Sequence, residues 1–230
     1  MKQDSDNLGF PQLSLFGPEG SSVGILELFP EVWGAAELLT HPNATKRLEG
    51  LGRLVAINAP RLSPLIAYLV ATRIPDPDID VRSLAIQTIG KVLSPDEGGA
   101  LASEAVCYHL INHLTHMRTR QVYAILEAVA RRPELEAVAE RIFDVCSCAG
   151  NHLVEILLNR KAPLTIRLLA VRYIGLVGYL DALPALERIQ ARLESRQAGQ
   201  QAMPFAVQDA PEENELLPEI RKAISSLHLP

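Results

Sequence analysis

Apolar residues return every three or four positions through most of the chain, and short breaks rich in Pro, Gly and Asp interrupt them. That pattern predicts amphipathic helices joined by turns. In 78–90, Val81, Leu84, Ala85, Thr88 and Ile89 fall on one side of such a helix, and 165–175 repeats the arrangement almost position for position. In both copies a β-branched residue precedes an arginine (Arg82, Arg167), alanine follows three places later (Ala85, Ala170), and Ile-Gly closes the pattern (Ile89-Gly90, Ile174-Gly175). Helical periodicity alone does not require that coincidence.

Two weaker copies complete the series. Residues 46–55 place Gly50 where the strong copies have alanine, and residues 121–129 place Gln121 where they have arginine. The anchors Arg47, Arg82, Gln121 and Arg167 stand 35, 39 and 46 residues apart, a period suited to stacked helix pairs, with an extra helix near 151–158 filling the longest interval. Partner helices are expected at 61–73, 98–114, 134–148 and 181–196. Ahead of the array, a short helix from Pro30 is stopped by His41-Pro42, and Trp33 is expected to seal the open apolar end. Ala85, Ala124 and Ala170 should admit close neighbours, and Gly90 and Gly175 should relieve crowding. Asp78 or Asp80 should cap one helix, and Asp96 should precede Glu97 in the first turn of the next.

These signatures, strongest at Asp80-Val81-Arg82 with Ala85 and Gly90 and at Ile166-Arg167 with Ala170 and Gly175, resemble HEAT repeats over about residues 41–196. The resemblance implies an all-α fold, a right-handed α-α superhelix or short armadillo-like helical solenoid. It also implies a ladder of acidic residues and arginines between repeats, here Asp80, Arg82 and Arg167, although Thr165 cannot supply the last carboxylate. HEAT-like families include protein-binding scaffolds, DNA alkyl-base glycosylases and proteins resembling bilin lyases, and the catalytic residues of those enzymes do not map onto this chain. The chain divides into a flexible tail (1–22), a repeat body (23–196), a linker (197–212) and a C-terminal capping helix (213–230).

The tail carries the sharpest motif. Gln12-Leu13-Ser14-Leu15-Phe16 resembles the pentapeptide by which bacterial replication and repair proteins bind the sliding clamp. Leu13, Leu15 and Phe16 supply compact apolar anchors, Gln12 can hydrogen-bond a pocket rim, and Gly17-Pro18 ends the insert. The competing reading folds the same side chains back onto the chain's own first helix as a strap bounded by Pro11 and Pro18.

Charge and composition narrow the classes. A net charge of -5, a pI near 5.7 and 5% aromatic residues oppose general nucleic-acid binding and base capture. Three cysteines without a paired framework suit a reducing cytosol, and the polar N-terminus and the want of a long apolar run predict a soluble cytoplasmic protein with no membrane contact. Cys107, His109, His113 and His116, and separately Cys146, Cys148 and His152, are candidate metal ligands by type. Their helical spacing and the missing two-residue cysteine knuckle argue against a metal site, so no cofactor is expected. With no phosphate-binding loop, nucleophile elbow or local Ser/His/Asp grouping, the sequence points to an adaptor that binds a partner protein on its helical surface.

Overall fold

The computed structural model describes residues 29–201 and 211–228, and the described residues are helical with short connections. In chain order the helices are α1 (Pro30–Leu38), α2 (Ala44–Ala56), α3 (Ala59–Leu62), α4 (Pro64–Ala71), α5 (Ile79–Val92), α6 (Glu104–Leu114), α7 (Thr119–Arg131), α8 (Glu136–Asp144), α9 (Ala149–Leu158), α10 (Leu164–Val177), α11 (Leu183–Gln201) and α12 (Pro211–His228). The architecture is all-α and repeat-like, consistent with a solenoid. Helix α2 packs on α5, α5 on α7 and α8, and α7 on α9 and α10. Helix α4 rests on α6, and α12 closes the far end against α10 and α11.

The repeat signatures begin the helices that form the spine. Arg47, Arg82 and Arg167 are each the fourth residue of α2, α5 and α10, and Gln121 is the third of α7. Local chemistry sets these starts. Asn43 accepts the amide of Thr45 at 2.8 Å ahead of α2, and the Asp78 carboxylate accepts the amides of Asp80 and Val81 ahead of α5, each quenching exposed donors of a first turn. The long 46-residue interval holds α9, which packs on both α7 and α10.

Helix α5 is buried on more than one side: Arg82, Ser83, Ile86 and Gly90 join Val81, Ala85, Thr88 and Ile89 in the interior. It is covered by α2, α4, α7 and α8, which a single-face reading does not anticipate. The small residues lie where helices come closest. A side chain at Gly90 would reach 2.2 Å from Val138 Cγ1, and one at Gly50 would reach 2.6 Å from the Ala35 carbonyl oxygen.

Several expected elements differ. The 61–73 helix is broken at Ser63, whose side chain accepts the Ile66 amide while Pro64 starts α4 without needing a donor. The 98–114 helix begins only at Glu104, because the Asp96 carboxylate accepts the amides of Gly98 and Ala100 and Gly99 takes a left-handed φ of 80°. Asp96 therefore holds a turn instead of leading a helix. The 134–148 helix ends at Asp144, where the Tyr179 hydroxyl donates to the carbonyls of Phe143 and Cys146, and α11 runs on to Gln201.

Trp33 is also placed differently. It stays 48% exposed, and α1 instead buries Val32, Ala35 and Ala36 against α2. The positions i, i+3 and i+4 from Val32 define the inward face, and Trp33 falls off it.

Candidate functional site

The acidic and basic residues singled out by the repeats form a branched series of polar contacts along the spine. Arg47 makes a two-pronged bond to Asp76, Nε to Oδ2 at 2.9 Å and Nη2 to Oδ1 at 2.7 Å, with both side chains buried. Its remaining nitrogen, Nη1, donates to the carbonyls of His41 and Pro42. Asp76 also accepts the Asp78 amide and, through its backbone carbonyl, the Nε–H of Arg82. Arg82 then donates to Glu127 at 2.6 Å, and Glu127 accepts from Arg131. The Arg82 bond, reinforced by the charges of Arg82 and Arg131, holds the Glu127 carboxyl below its ordinary range. Asp80, exposed on the first turn of α5, pairs with Arg132. Arg167 donates from Nε to the Leu157 carbonyl at 3.0 Å.

The three repeat arginines are all buried, with exposures of 8%, 8% and 9%, and each bonds a backbone carbonyl ahead of its helix: Arg47 and Arg82 in the connections that enter α2 and α5, and Arg167 in the last turn of α9. A guanidinium with five donors suits that task because unpaired carbonyls at a buried turn are costly. Gln121, shorter and with a single side-chain carbonyl, instead accepts the Arg118 amide at 2.7 Å. These groups are occupied in holding the fold.

The histidines and cysteines resolve into three separate arrangements. Cys146 and Cys148 lie in the turn between α8 and α9 with their sulfurs 3.6 Å apart, and they donate to the carbonyls of Leu114 and Thr115, each at 3.0 Å. His152 turns away to Thr119 Oγ1 at 2.9 Å. His109, His113 and His116 line a different groove. Among the described residues, no three His, Cys, Asp or Glu side chains come together in an arrangement able to hold a metal ion.

Burial, reinforced by the neighbouring Cys148 sulfur, pushes the Cys146 thiol up from 9.0 to about 12. At neutral pH its thiolate should be roughly a thousandfold scarcer than that of an ordinary cysteine. Iodoacetamide labelling of the native protein followed by mass spectrometry should find Cys146 protected until urea opens the fold; rapid native labelling would contradict this placement. Because the folded thiol keeps its proton longer than the unfolded one, its contribution to stability is complete below pH 9 and declines as pH rises from there toward 12.

The groove between α4 and α6, of about 630 Å³, has Pro64, Leu65 and Tyr68 on one wall and His109, Asn112 and His113 on the other, with His116 at one end. The rings of Tyr68 and His113 meet edge to face at 4.9 Å. The buried Nε2 of His113 has no hydrogen-bond partner among the described residues, and burial, with His116 nearby, lowers its pKa. His116 is held by the Asn112 carbonyl at 2.7 Å. Tyr68 is exposed, and so, to 68%, is Tyr108, whose ring meets that of His109 edge to face at 5.3 Å. The histidines were visible as candidates in the sequence. Tyr68 was not, because 64–71 reads as one apolar run; the signal available was the spacing of Ile66, Ala67, Val70 and Ala71, which turns Tyr68 outward.

Gln12, Leu13, Leu15 and Phe16 lie outside the described residues. Among the described residues no helix is long and apolar enough to cross a membrane. No family model, curated protein or solved structure matches the chain.

Proposed function

We propose that the chain is a non-catalytic adaptor of the HEAT type, a short right-handed superhelix acting in the cytoplasm. Its body binds a partner protein through the α4–α6 face, and its tail peptide tethers the assembly to a bacterial sliding clamp. The observation that carries this reading is the exposure of Tyr68, which lines the groove, and of Tyr108, whose ring meets that of the lining residue His109 at 5.3 Å. Tyrosine offers a large apolar surface with one polar end, the type of side chain that dominates protein interfaces. The repeat arginines are committed to backbone carbonyls and carboxylates, which leaves recognition to the helix faces. Gln12-Leu13-Ser14-Leu15-Phe16 supports the tether, and joining two contacts on one chain raises the effective concentration of each. No catalytic residue, cofactor or nucleic-acid contact belongs to this reading.

Calorimetric titration of the full chain with the clamp tests the tail, and affinity capture from bacterial lysate tests the body. The intact protein should bind the clamp, Ser14→Asp should bind similarly, and a Leu15→Ala/Phe16→Ala variant should lose on the order of 3 kcal/mol of binding energy. A body partner should persist with that variant and disappear with Tyr68→Ala/Tyr108→Ala. Failure of the intact chain to bind clamp at high micromolar concentration would remove the tether, and a partner indifferent to both tyrosines would move the body contact elsewhere.

A further inference from the structure

A second groove, of about 580 Å³, lies between α1 and α2, with Pro30, Gly34 and Ala35 on one side and Ala56 and Ile57 on the other, and Arg53 at its edge. Its surroundings are unusually apolar for an open surface. Ile57, which lines it, is 47% exposed, and Phe29 and Trp33, exposed to 50% and 48%, directly precede the lining residues Pro30 and Gly34 in the chain. Gly34 adds a separate observation. It sits inside α1, where glycine costs about 1 kcal/mol against alanine, yet nothing lies within 4 Å of where its Cβ would be. None of the described helices requires a glycine there, in contrast to Gly50 and Gly90. A bare backbone on an apolar wall allows another chain to approach closely.

We propose that this groove is taken by Leu13, Leu15 and Phe16 of the same chain, so that the tail peptide is held in cis and must leave before any partner engages it. The occupant follows from where the undescribed chain joins. Residues 1–28 lead directly into Phe29, the residue before Pro30 of the groove lining. The stretch from Phe16 to Phe29 can span up to roughly 40 Å when extended, about twice the ~20 Å length of α2, so the peptide can reach the groove and reverse direction on the way. Gly17, Pro18, Gly20 and Gly24 supply the residues for that reversal. Two aliphatic side chains and one aromatic match the apolar surface offered by Pro30, Ala35, Ala56 and Ile57. The short tether gives an effective concentration in the millimolar range, enough for a weak contact to be well populated without preventing release to a tighter partner.

Trp33 is the sole tryptophan of the chain, is 48% exposed and immediately precedes Gly34 of the groove lining, so its fluorescence reports occupancy in the full-length protein. Acrylamide quenching of Trp33 should rise, with a red-shifted emission, in a Leu13→Ala/Leu15→Ala/Phe16→Ala variant. It should change little in Ile25→Ala/Leu26→Ala, which alters the apolar residues nearer the helix. Gly34→Leu, which fills the groove while favouring the helix, should expose the peptide and speed chymotrypsin cleavage after Phe16 severalfold, with far-UV circular dichroism confirming an intact fold. Unchanged Trp33 quenching in the triple variant overturns the proposal, as does a response only to the Ile25/Leu26 change or unaltered cleavage in folded Gly34→Leu. These readouts use no clamp, so the cis contact and the clamp tether fail independently.

Discussion

Replacing Asp76 with alanine should lower the stability of the fold by about 3–5 kcal/mol, because it leaves the Arg47 guanidinium buried without its counter-charge. Arg47 and Asp76 are only 9% and 2% exposed at the side chain and share two hydrogen bonds of 2.9 and 2.7 Å. Water cannot readily replace a lost carboxylate there. The substitution also frees the Asp78 amide, which Asp76 Oδ1 accepts at 3.0 Å just ahead of the α5 cap. Urea denaturation followed by circular dichroism should show a lower midpoint at an unchanged slope. A joint Arg47→Met/Asp76→Leu replacement should recover much of the loss, since exchanging an entire buried pair for apolar groups avoids the stranded charge. A midpoint within experimental error of the unmodified protein for Asp76→Ala would show that Arg47 is adequately held by the His41 and Pro42 carbonyls alone.

That pair also marks the limit of what the sequence discloses. The four spine helices were legible because Arg47, Arg82, Gln121 and Arg167 are each followed three places later by a small residue, Gly50, Ala85, Ala124 or Ala170, and a cap from Asp78 or Asp80 was legible because an acid before an apolar periodic run has one common use. In the sequence Asp76, Asp78 and Asp80 stand at alternate positions with nothing to tell them apart. Which of the three turns inward depends on the path of the α4–α5 connection, and no local pattern encodes a bond to an arginine 29 positions earlier. The misplaced start of α6 has a related cause: Glu97 and the apolar residues after it fit a helix, but Gly98-Gly99 let the Asp96 carboxylate collect amides in a turn instead. Trp33 misled through size. A large aromatic ahead of the array suggests a cover for its open apolar end, yet the register of α1 is fixed by Val32, Ala35 and Ala36. For the candidate sites, sequence supplied the tail peptide and the α6 histidines, while the α4–α6 and α1–α2 grooves arise from helix pairing and had no linear signature.

Gly175→Leu should detach α12 from the body and cost about 3 kcal/mol, the upper end of what overpacking ordinarily imposes. A Cβ at Gly175 would lie 2.8 Å from the Ala223 Cα and 3.0 Å from its Cβ. The obstacle is therefore the backbone of α12 itself, which cannot swing aside as the end of a long side chain can. Leucine's better helix propensity offsets only about 1 kcal/mol of this strain. Helix α12 rests on α10 and α11 through Leu216, Leu217, Ile220, Ala223 and Leu227, all buried, with Arg221 paired to Glu194 at 2.8 Å across its edge. Pushing it outward should expose that whole stripe at once. Amide hydrogen exchange should show residues 216–227 losing protection while α5, which α12 does not cover, keeps most of its own. Gly52→Ala is the control: nothing lies within 4 Å of its Cβ position, so the same gain in helix propensity should appear there as a modest stabilisation of about 1 kcal/mol. Undiminished protection across α12 in Gly175→Leu would mean that α10 and α12 can separate without unlocking, and the close glycine contact would then not be what seats the terminal helix.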